Sequence, residues 1–294
     1  MDLGSQILQY FISGITNGAI YAVIALGFTV IYNATEVINF AQGEFVMLGA
    51  MVMITLSGVN GLPVWLCFIL AVSVVTLVGM VLERLAIRPV KSASAISLII
   101  ITVGASIFLR GVAMMLWGKD SLGLQPFTGE RPIRIAGAAL TPQSLWVLGI
   151  TVLVMVALQF FYKKTITGKA MRACSFSKRG ACLVGIGVNR MVLLSFGLSA
   201  AMGAAGGIVI APITMCGYDM GTMLGLKGFC AAVLGGLGSS PGSIAGGFLL
   251  GILEAMGAGL ISSGFKDAIA FAILLIMLFI RPSGLLGQGE TGRV

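Results

Sequence analysis

The amino-acid sequence predicts an all-α membrane protein, a polytopic bundle of about eight or nine transmembrane helices that forms a single domain over residues 1–294. Of the 294 residues, 58% are hydrophobic and only 10% are charged, and the mean hydropathy is +1.06. These values are incompatible with a soluble surface. The apolar runs are continuous and close to the ~20 residues that a helix needs to cross a bilayer, which favours helices over the short alternating strands of a barrel.

Nine apolar runs are predicted to cross the membrane, and an odd count places the N-terminus outside and the C-terminus inside. The 42 glycines support this prediction, because small residues let helices approach closely in lipid. If the run at 221–237 enters and returns on one side, the count falls to eight. The first run lies at about 7–32. The second begins within the partly polar stretch 33–51 and ends near residue 56. The others lie at 64–82, 93–117, 144–162, 191–211, 221–237, 248–261 and 268–280.

The longest strongly polar segment, residues 163–190, reads KKTITGKAMRACSFSKRGACLVGIGVNR. It carries seven Lys and Arg residues and no Asp or Glu, so it is predicted to stay on the cytoplasmic side. Small apolar residues alternate with basic ones, which suits one or two short helices with an apolar and a basic face. Such an element fits against another protein. The alternative is a basic loop that does no more than obey the charge rule.

The distribution of the other basic residues agrees with this orientation. Twelve Lys and Arg residues fall inside, five fall outside, and Arg110 lies within a span. The inside set is Arg84, Arg88, Lys91, Lys163, Lys164, Lys169, Arg172, Lys178, Arg179, Arg190, Arg281 and Arg293; the outside set is Lys119, Arg131, Arg134, Lys227 and Lys266. A bias of this size is strong for the positive-inside rule.

Several chemistries are excluded by what the sequence lacks. There is no His, which removes Ser-His-Asp and Cys-His catalysis and His-ligated metal sites, and the five Cys residues form no CxxC pair, so we expect no metal and no disulfide. There is also no GxxxxGK[ST] motif, so any ATP and Mg²⁺ must be bound by a partner. The net charge of +8 is explained by cytoplasmic loops and anionic lipid, so nucleic acid is not an expected partner.

Some polar residues lie in or beside the predicted spans. Glu254 has no basic residue within a helical turn, so we expect it either to face a polar path or to bond to a neighbouring helix. Arg110 either snorkels outward or contacts a ligand. Asn39, Gln42 and Glu44 either form a site or mark the interfacial start of a helix.

Three motifs carry a family resemblance: NFAQGEFVMLGAM (39–51), GKAMRACSFSKRGACLVGIGVNR (168–190) and AAVLGGLGSSPGSIAGGFLLGILEA (231–255). In this order they resemble the permease subunits of branched-chain amino acid ABC importers of the LivH type. The resemblance implies a non-enzymatic, multi-pass subunit of the bacterial inner membrane. It also implies a second related permease, two cytoplasmic ATPases and a periplasmic or lipid-anchored substrate-binding protein as partners.

The resemblance assigns a role to the basic segment, because the family's coupling loop, which docks on the ATPase, matches residues 168–186. The coupling residues implied are Gly168, Met171, Arg172, Ala173, Arg179, Ala181, Leu183, Gly185 and Ile186.

A translocation path is predicted from irregular backbone. Segments interrupted by Gly or Pro are tolerated at membrane depth only where they are buried or line a cavity, and two such segments stand out, 39–49 and 235–247. Their mirrored positions suggest an internal repeat, although the glycines could simply permit close packing. The predicted path residues are Asn39, Gln42, Gly43, Glu44, Gly238, Ser239, Ser240, Pro241, Gly242 and Glu254.

The leading functional hypothesis is therefore the translocation subunit of an ATP-driven importer of branched-chain or related amino acids. Permeases for urea, short amides or another small polar solute look similar. A stand-alone channel or facilitator would not need the basic segment, and an intramembrane enzyme would normally show clustered carboxylates or a nucleophile with its base, whereas Glu254 stands alone.

Overall fold

The computed structural model describes residues 3–58, 61–90, 94–129, 131–135 and 137–287 as a helical bundle. The helices are α1 (Leu3–Thr35), α2 (Gln42–Ser57), α3 (Val64–Leu82), α4 (Ala95–Trp117), α5 (Pro142–Lys164), α6 (Ile166–Phe176), α7 (Lys178–Leu183), α8 (Val188–Ile210), α9 (Met220–Gly235), α10 (Ser240–Leu260) and α11 (Lys266–Ile280). A π-helical turn (Glu83–Ile87) extends α3, and a 3-10 turn (Ser263–Phe265) precedes α11. Strands β1 (Ile133–Ile135) and β2 (Ala138–Leu140) form an antiparallel hairpin before α5, which the sequence analysis did not predict.

Seven helices in the described part of the chain are long and apolar enough to cross a membrane: α1, α3 with its π-helical turn, α4, α5, α8, α10 and α11 with its 3-10 turn. The remaining two predicted spans, α2 and α9, have 16 residues each. At 1.5 Å per residue each is about 24 Å long, less than the ~30 Å of a hydrocarbon core. The polytopic helical fold is confirmed, and two of its predicted spans are shorter than a full crossing.

Contacts at the two ends of the bundle define the path of the chain. At one end, Gln9 of α1 exchanges hydrogen bonds with Ala139 of β2, and Leu122 pairs with Cys216. At the other end, Lys178 of α7 binds the carbonyl of Thr35. We call these the hairpin end and the α7 end. The first turns of α1 therefore lie at the hairpin end, and residues 285–286, which bond to the end of α9 beside the turn that contacts Asn33, lie at the α7 end.

Helices α1 and α8 occupy the centre of the bundle. Their most apolar windows are 89% and 78% buried, whereas those of α3, α4, α5 and α11 are at most 22% buried. Lipid removes the hydrophobic drive that would hold apolar helices together in water, so close contact between backbones must replace it. Small residues provide that contact. A Cβ added to Gly18 of α1 would lie 2.8 Å from the Cα of Phe248 in α10, and one added to Gly247 of α10 would lie 2.5 Å from the Cα of Ala22.

Helices α8, α9, α10 and α11 repeat the arrangement of α1, α2, α3 and α4 in the same order but with the opposite orientation. Helix α1 packs on α9 and α10, and α8 packs on α2 and α3 in the same way. Because α1 starts at the hairpin end and α8 starts at the α7 end, the two halves have opposite orientations. The two short helices cross near their N-termini, where a Cβ on Gly221 would lie 2.7 Å from the carbonyl oxygen of Gly43. The repeat suggested by the sequence is present, but α2 matches α9 and not the segment 235–247.

We expect Gly207→Ala to destabilise the bundle and Gly149→Ala to be tolerated. A Cβ on Gly207 of α8 would lie 2.8 Å from the carbonyl carbon of Val46, whereas one on Gly149 of α5 meets nothing within 4 Å. Overpacking costs about 1–3 kcal/mol, while an unhindered Gly→Ala change in a helix gains up to about 1 kcal/mol. The melting temperature of the purified protein in detergent measures both. Equal melting temperatures for the two variants would contradict this account of the packing.

Candidate translocation and coupling sites

The start of α2 carries a buried amide, Gln42, bound to the central helix α8. Its Nε2 donates to the carbonyl of Ser199 at 3.2 Å, and its Oε1 lies 2.5 Å from the Ser199 hydroxyl, which also lies 2.8 Å from the carbonyl of Gly27 in α1. The side chain of Gln42 is fully buried. A buried amide must be hydrogen-bonded to offset its desolvation, and this arrangement joins α1, α2 and α8 through one residue.

The next polar residue, Glu44, is a buried carboxylate in the first turn of α2. Its Oε1 accepts a hydrogen bond from Ser106 of α4 at 2.8 Å and lies 3.8 Å from the Nε of Arg110. Its Oε2 is buried without a hydrogen-bond partner among the described residues, and it lies against Gly221 at the start of α9. The positive ends of two helix dipoles therefore flank the carboxylate, which offsets part of the cost of burying its charge. Arg110 contacts Glu44 and does not simply extend outward.

Gln42 and Glu44 lie about halfway between the two ends of the bundle. Ser199 is at the middle of α8 and Ser106 is at the middle of α4, and each bonds to one of these two side chains. Helix α2 thus begins at mid-depth, after the irregular stretch that follows α1. Interrupted helices of this kind, with polar groups at their ends, are typical of binding regions in transporters.

Glu254 of α10 belongs to a second, separate ionic cluster. It is fully buried, and its Oε1 lies 2.9 Å from the Nζ of Lys227 and 3.4 Å from that of Lys266, and accepts a hydrogen bond from the Tyr21 hydroxyl at 3.1 Å. Lys227 also binds Asp267 at 2.6 Å. The cluster connects α1, α9, α10 and the start of α11. It is close to neutral because two lysines face two carboxylates.

The assignment of Lys227 to an outside loop is wrong. Lys227 lies inside α9 and is only 6% exposed, so it does not belong among the five basic residues counted as outside. The reason is that Glu254 and Asp267 compensate its charge, which lets a lysine occupy an apolar helix. Its position within the apolar run 220–235 indicates a buried lysine, whereas no sequence signal points to its partner Asp267.

The glycine-rich turn between α9 and α10 lies at the α7 end and not at mid-depth. The carbonyl of Gly238 accepts a hydrogen bond from Asn33 at 3.1 Å, and Ser239 caps α10 by accepting from the backbone N–H of Gly242 at 3.2 Å. Ser240 and Pro241 form the first turn of α10. The structure therefore does not bring this group together with Gln42, Gly43 and Glu44. Asn39 lies just before α2, where its Oδ1 accepts from the N–H of Ala41.

The basic segment forms two short helices, α6 and α7, at the end of the bundle. One face is anchored: Met171 packs against α1, α5 and α8, and Gly168, Cys174 and Ala181 are also buried. Ala173 and Ile186 are half-buried, and Arg172, Arg179, Leu183 and Gly185 are exposed. Gly185 has φ +83°, a backbone conformation that favours glycine after α7.

The outer face of the segment combines positive charge with exposed apolar side chains. Ile166, Phe176, Leu183 and Val184 are 88%, 87%, 89% and 74% exposed. The exposed Arg172 and Arg179 share this end of the bundle with these apolar side chains, a combination that is typical of interaction surfaces. We refer to this face of α6 and α7 as the coupling surface.

Comparison with known proteins gives the family. The family described as the permease component of branched-chain amino acid transport systems matches residues 10–278. The chain belongs to this permease family. The resemblance inferred from the three sequence motifs is thereby confirmed, and the chain is a multi-pass transport permease.

Named relatives cover nearly the whole permease. It is 35% identical over 300 residues to the high-affinity branched-chain amino acid transport system permease protein LivH of Escherichia coli K12, over 98% of this chain and 97% of LivH. LivH of Salmonella typhimurium is 34% identical with the same coverage. The corresponding BraD protein of Pseudomonas aeruginosa is 32% identical, over 98% of each chain.

We expect Lys227→Met to destabilise the permease strongly, because it removes the lysine nearest to a fully buried carboxylate. Breaking a buried ion pair on one side costs about 3 kcal/mol or more. Adding Glu254→Gln to Lys227→Met should restore part of the lost thermal stability, since the uncompensated charge is then gone. Lys119→Met, at an exposed position, is the matched control. Equal melting temperatures for Lys227→Met and Lys119→Met would contradict the proposed role of the cluster.

Proposed function

We propose that this permease forms the membrane path of an ATP-driven importer that carries branched-chain or closely related amino acids across the bacterial inner membrane. The similarity over nearly the full chain to LivH and BraD, both named for branched-chain amino acid transport, carries this proposal. The alternatives are a permease for urea, short amides or another small polar solute, and a stand-alone channel or facilitator. The coupling surface argues against the last of these, because a facilitator needs no docking element.

The energy for import would come from two cytoplasmic ATPase subunits, which would bind ATP and Mg²⁺. This chain has no P-loop motif of its own and would bind no cofactor. The ATPases would dock on the coupling surface, where the exposed Phe176, Leu183 and Val184 would fill a groove and Arg172 and Arg179 would face acidic side chains. The buried side of α6 and α7 would pass the resulting movement to α5 and α8, which adjoin them in the chain.

Two further partners complete the proposed transporter. A second, related permease subunit would cover part of the exposed apolar surface of the outer helices, and lipid would cover the rest. A periplasmic or lipid-anchored substrate-binding protein would deliver the amino acid at the hairpin end. This orientation follows from the concentration of basic residues at the α7 end, which is the proposed cytoplasmic side.

The proposed path passes Gln42 and Glu44. A zwitterionic amino acid needs transient partners for its ammonium and carboxylate groups, and weak ones, since a tight site would retain the substrate. The mid-depth position of these side chains and the unpaired Oε2 of Glu44 support their role. Glu254 is proposed as a further path residue, although its pairing with Lys227 also gives it a structural function.

Uptake by the reconstituted transporter tests the function and the path together. In proteoliposomes with the ATPases and the binding protein, we expect ATP-dependent uptake of radiolabelled leucine. Gln42→Ala and Glu44→Ala should each reduce uptake about tenfold, the effect of losing roughly 1.4 kcal/mol of substrate stabilisation, while the binding protein still stimulates ATP hydrolysis. Uptake of urea or a short amide in place of leucine would select the alternative substrate. Wild-type leucine uptake by both variants would place the path elsewhere.

Charge reversal tests the coupling surface. We expect the double variant Arg172→Glu, Arg179→Glu to insert into the membrane normally but to lose co-purification with the ATPase, or to hydrolyse ATP without uptake, because like charges across an interface repel. Lys119→Glu, a reversal at the hairpin end, is the control. Normal uptake by the double variant would mean that the charges of this segment only obey the positive-inside rule.

A further inference from the structure

A single lysine connects the basic segment to the end of α1. The Nζ of Lys178, the first residue of α7, donates a hydrogen bond to the carbonyl of Thr35 at 2.9 Å, and Thr35 is the last residue of α1. The same Nζ lies 3.9 Å from the carboxylate of Glu36. The last carbonyls of a helix have no intrahelical partner and carry partial negative charge, so a lysine ammonium is well suited to this position.

The stretch that follows α1 is tightly constrained. Glu36 has φ +62°, a left-handed conformation that a residue with a side chain rarely adopts unless its surroundings hold it there. Thr35 Oγ1 accepts a hydrogen bond from the N–H of Val37 at 3.2 Å, and the N–H of Phe40 donates to Thr102 of α4 at 3.2 Å. A chain fixed at so many points transmits a displacement instead of absorbing it.

This stretch leads directly to the buried polar groups at mid-depth. After Ala41 the chain enters α2, whose first residues are Gln42, Gly43 and Glu44. Gly43 is where α2 crosses α9, at a distance that leaves no room for a side chain. A shift of Thr35 toward or away from α7 would therefore move the start of α2 relative to α8 and α9.

We propose that Lys178 is a positioning residue that transmits movement of α6 and α7 to the start of α2. The inference rests on the proposed function of the coupling surface and adds a connection from that surface to the end of α1. Helices α5 and α8 adjoin the segment in sequence, but α1 and α2 do not. Met171 packs against the middle of α1, whereas Lys178 binds the last residue of α1, from which the chain leads to α2. Movement at the ATPase would thereby reach Gln42 and Glu44 as well as the flanking helices.

The test compares neutralised lysines in the complete transporter, with ATPases and binding protein in proteoliposomes. Lys178→Met should still co-purify with the ATPase, but import about tenfold less leucine per ATP hydrolysed, the factor that corresponds to losing one hydrogen bond to a charged group. Lys178→Arg keeps the charge and the donor and should restore most of the coupling. Glu36→Gln removes only the longer ion pair and should have a smaller effect than Lys178→Met.

Lys169→Met is the matched control, because Lys169 is an exposed lysine of α6 in the same segment. An equal loss in Lys169→Met and Lys178→Met would attribute the effect to total charge and overturn the inference. Loss of ATPase co-purification in Lys178→Met would make Lys178 a docking residue, and a normal import-to-hydrolysis ratio would show that the contact transmits nothing; either result overturns it.

The outcomes remain separable from the proposed function. Absence of the ATPase from the wild-type preparation would refute the docking role of α6 and α7, whereas each result that overturns the present inference is read from the Lys178→Met and Lys169→Met complexes while the wild-type complex still assembles and imports. Should Lys178→Met not reach the membrane, Lys178→Gln, which is neutral but retains a polar amide, should give the same reduced ratio of import to hydrolysis. A Lys178→Gln complex with normal coupling would overturn the inference in that case.

Discussion

A polar group buried in a membrane bundle has no water to bind, so every such group must find its partner elsewhere in the chain. This constraint determines which helices of the permease are held together. Gln42 joins α2 to α8 through Ser199, and Glu254 joins α10 to α9 through Lys227. The first pair joins helices distant in sequence and the second joins two consecutive helices, and in both cases the hydrogen bonds specify a contact that apolar side chains in lipid could not. Three buried carboxylate oxygens without a hydrogen-bond partner, Oε2 of Glu44, Glu83 and Glu254, are therefore exceptions within the described residues.

The same constraint explains the glycines. Close helix contact brings backbone within reach of backbone, and it is possible only where one helix offers no side chain. Gly18 against α10, Gly207 against α2 and Gly221 against Gly43 are such positions. Many other glycines are not: Gly104, Gly111 and Gly149 have nothing within 4 Å of an added Cβ. The count of 42 glycines thus predicts a membrane bundle, but it does not indicate which glycines form the contacts.

The sequence predicted the helical class, the position of the coupling segment and its two short helices, because hydropathy, charge and amphipathic spacing are local properties. It could not indicate the partners of Lys227, because the groups that compensate its charge lie 27 and 40 residues away, at Glu254 and Asp267. The position of Ser239 along the bundle could not be predicted either, since a glycine-rich turn at the end of a bundle and one at its centre have the same composition. Motif similarity supplied the family, whereas the pairing of α2 with α9 required the three-dimensional arrangement.

The inverted repeat gives the buried carboxylate of Glu44 its setting. Because the two halves have opposite orientations, their short helices approach the middle of the bundle from opposite ends and meet at Gly43 and Gly221 near both N-termini. Two positive helix ends then converge on one carboxylate, and Arg110 adds a third positive group at 3.8 Å. A full-length helix would have carried its N-terminus to the membrane surface, where water screens it. The shortness of α2 and α9 is therefore what brings charge-stabilising groups to mid-depth, where Glu44 would otherwise be buried among apolar side chains alone.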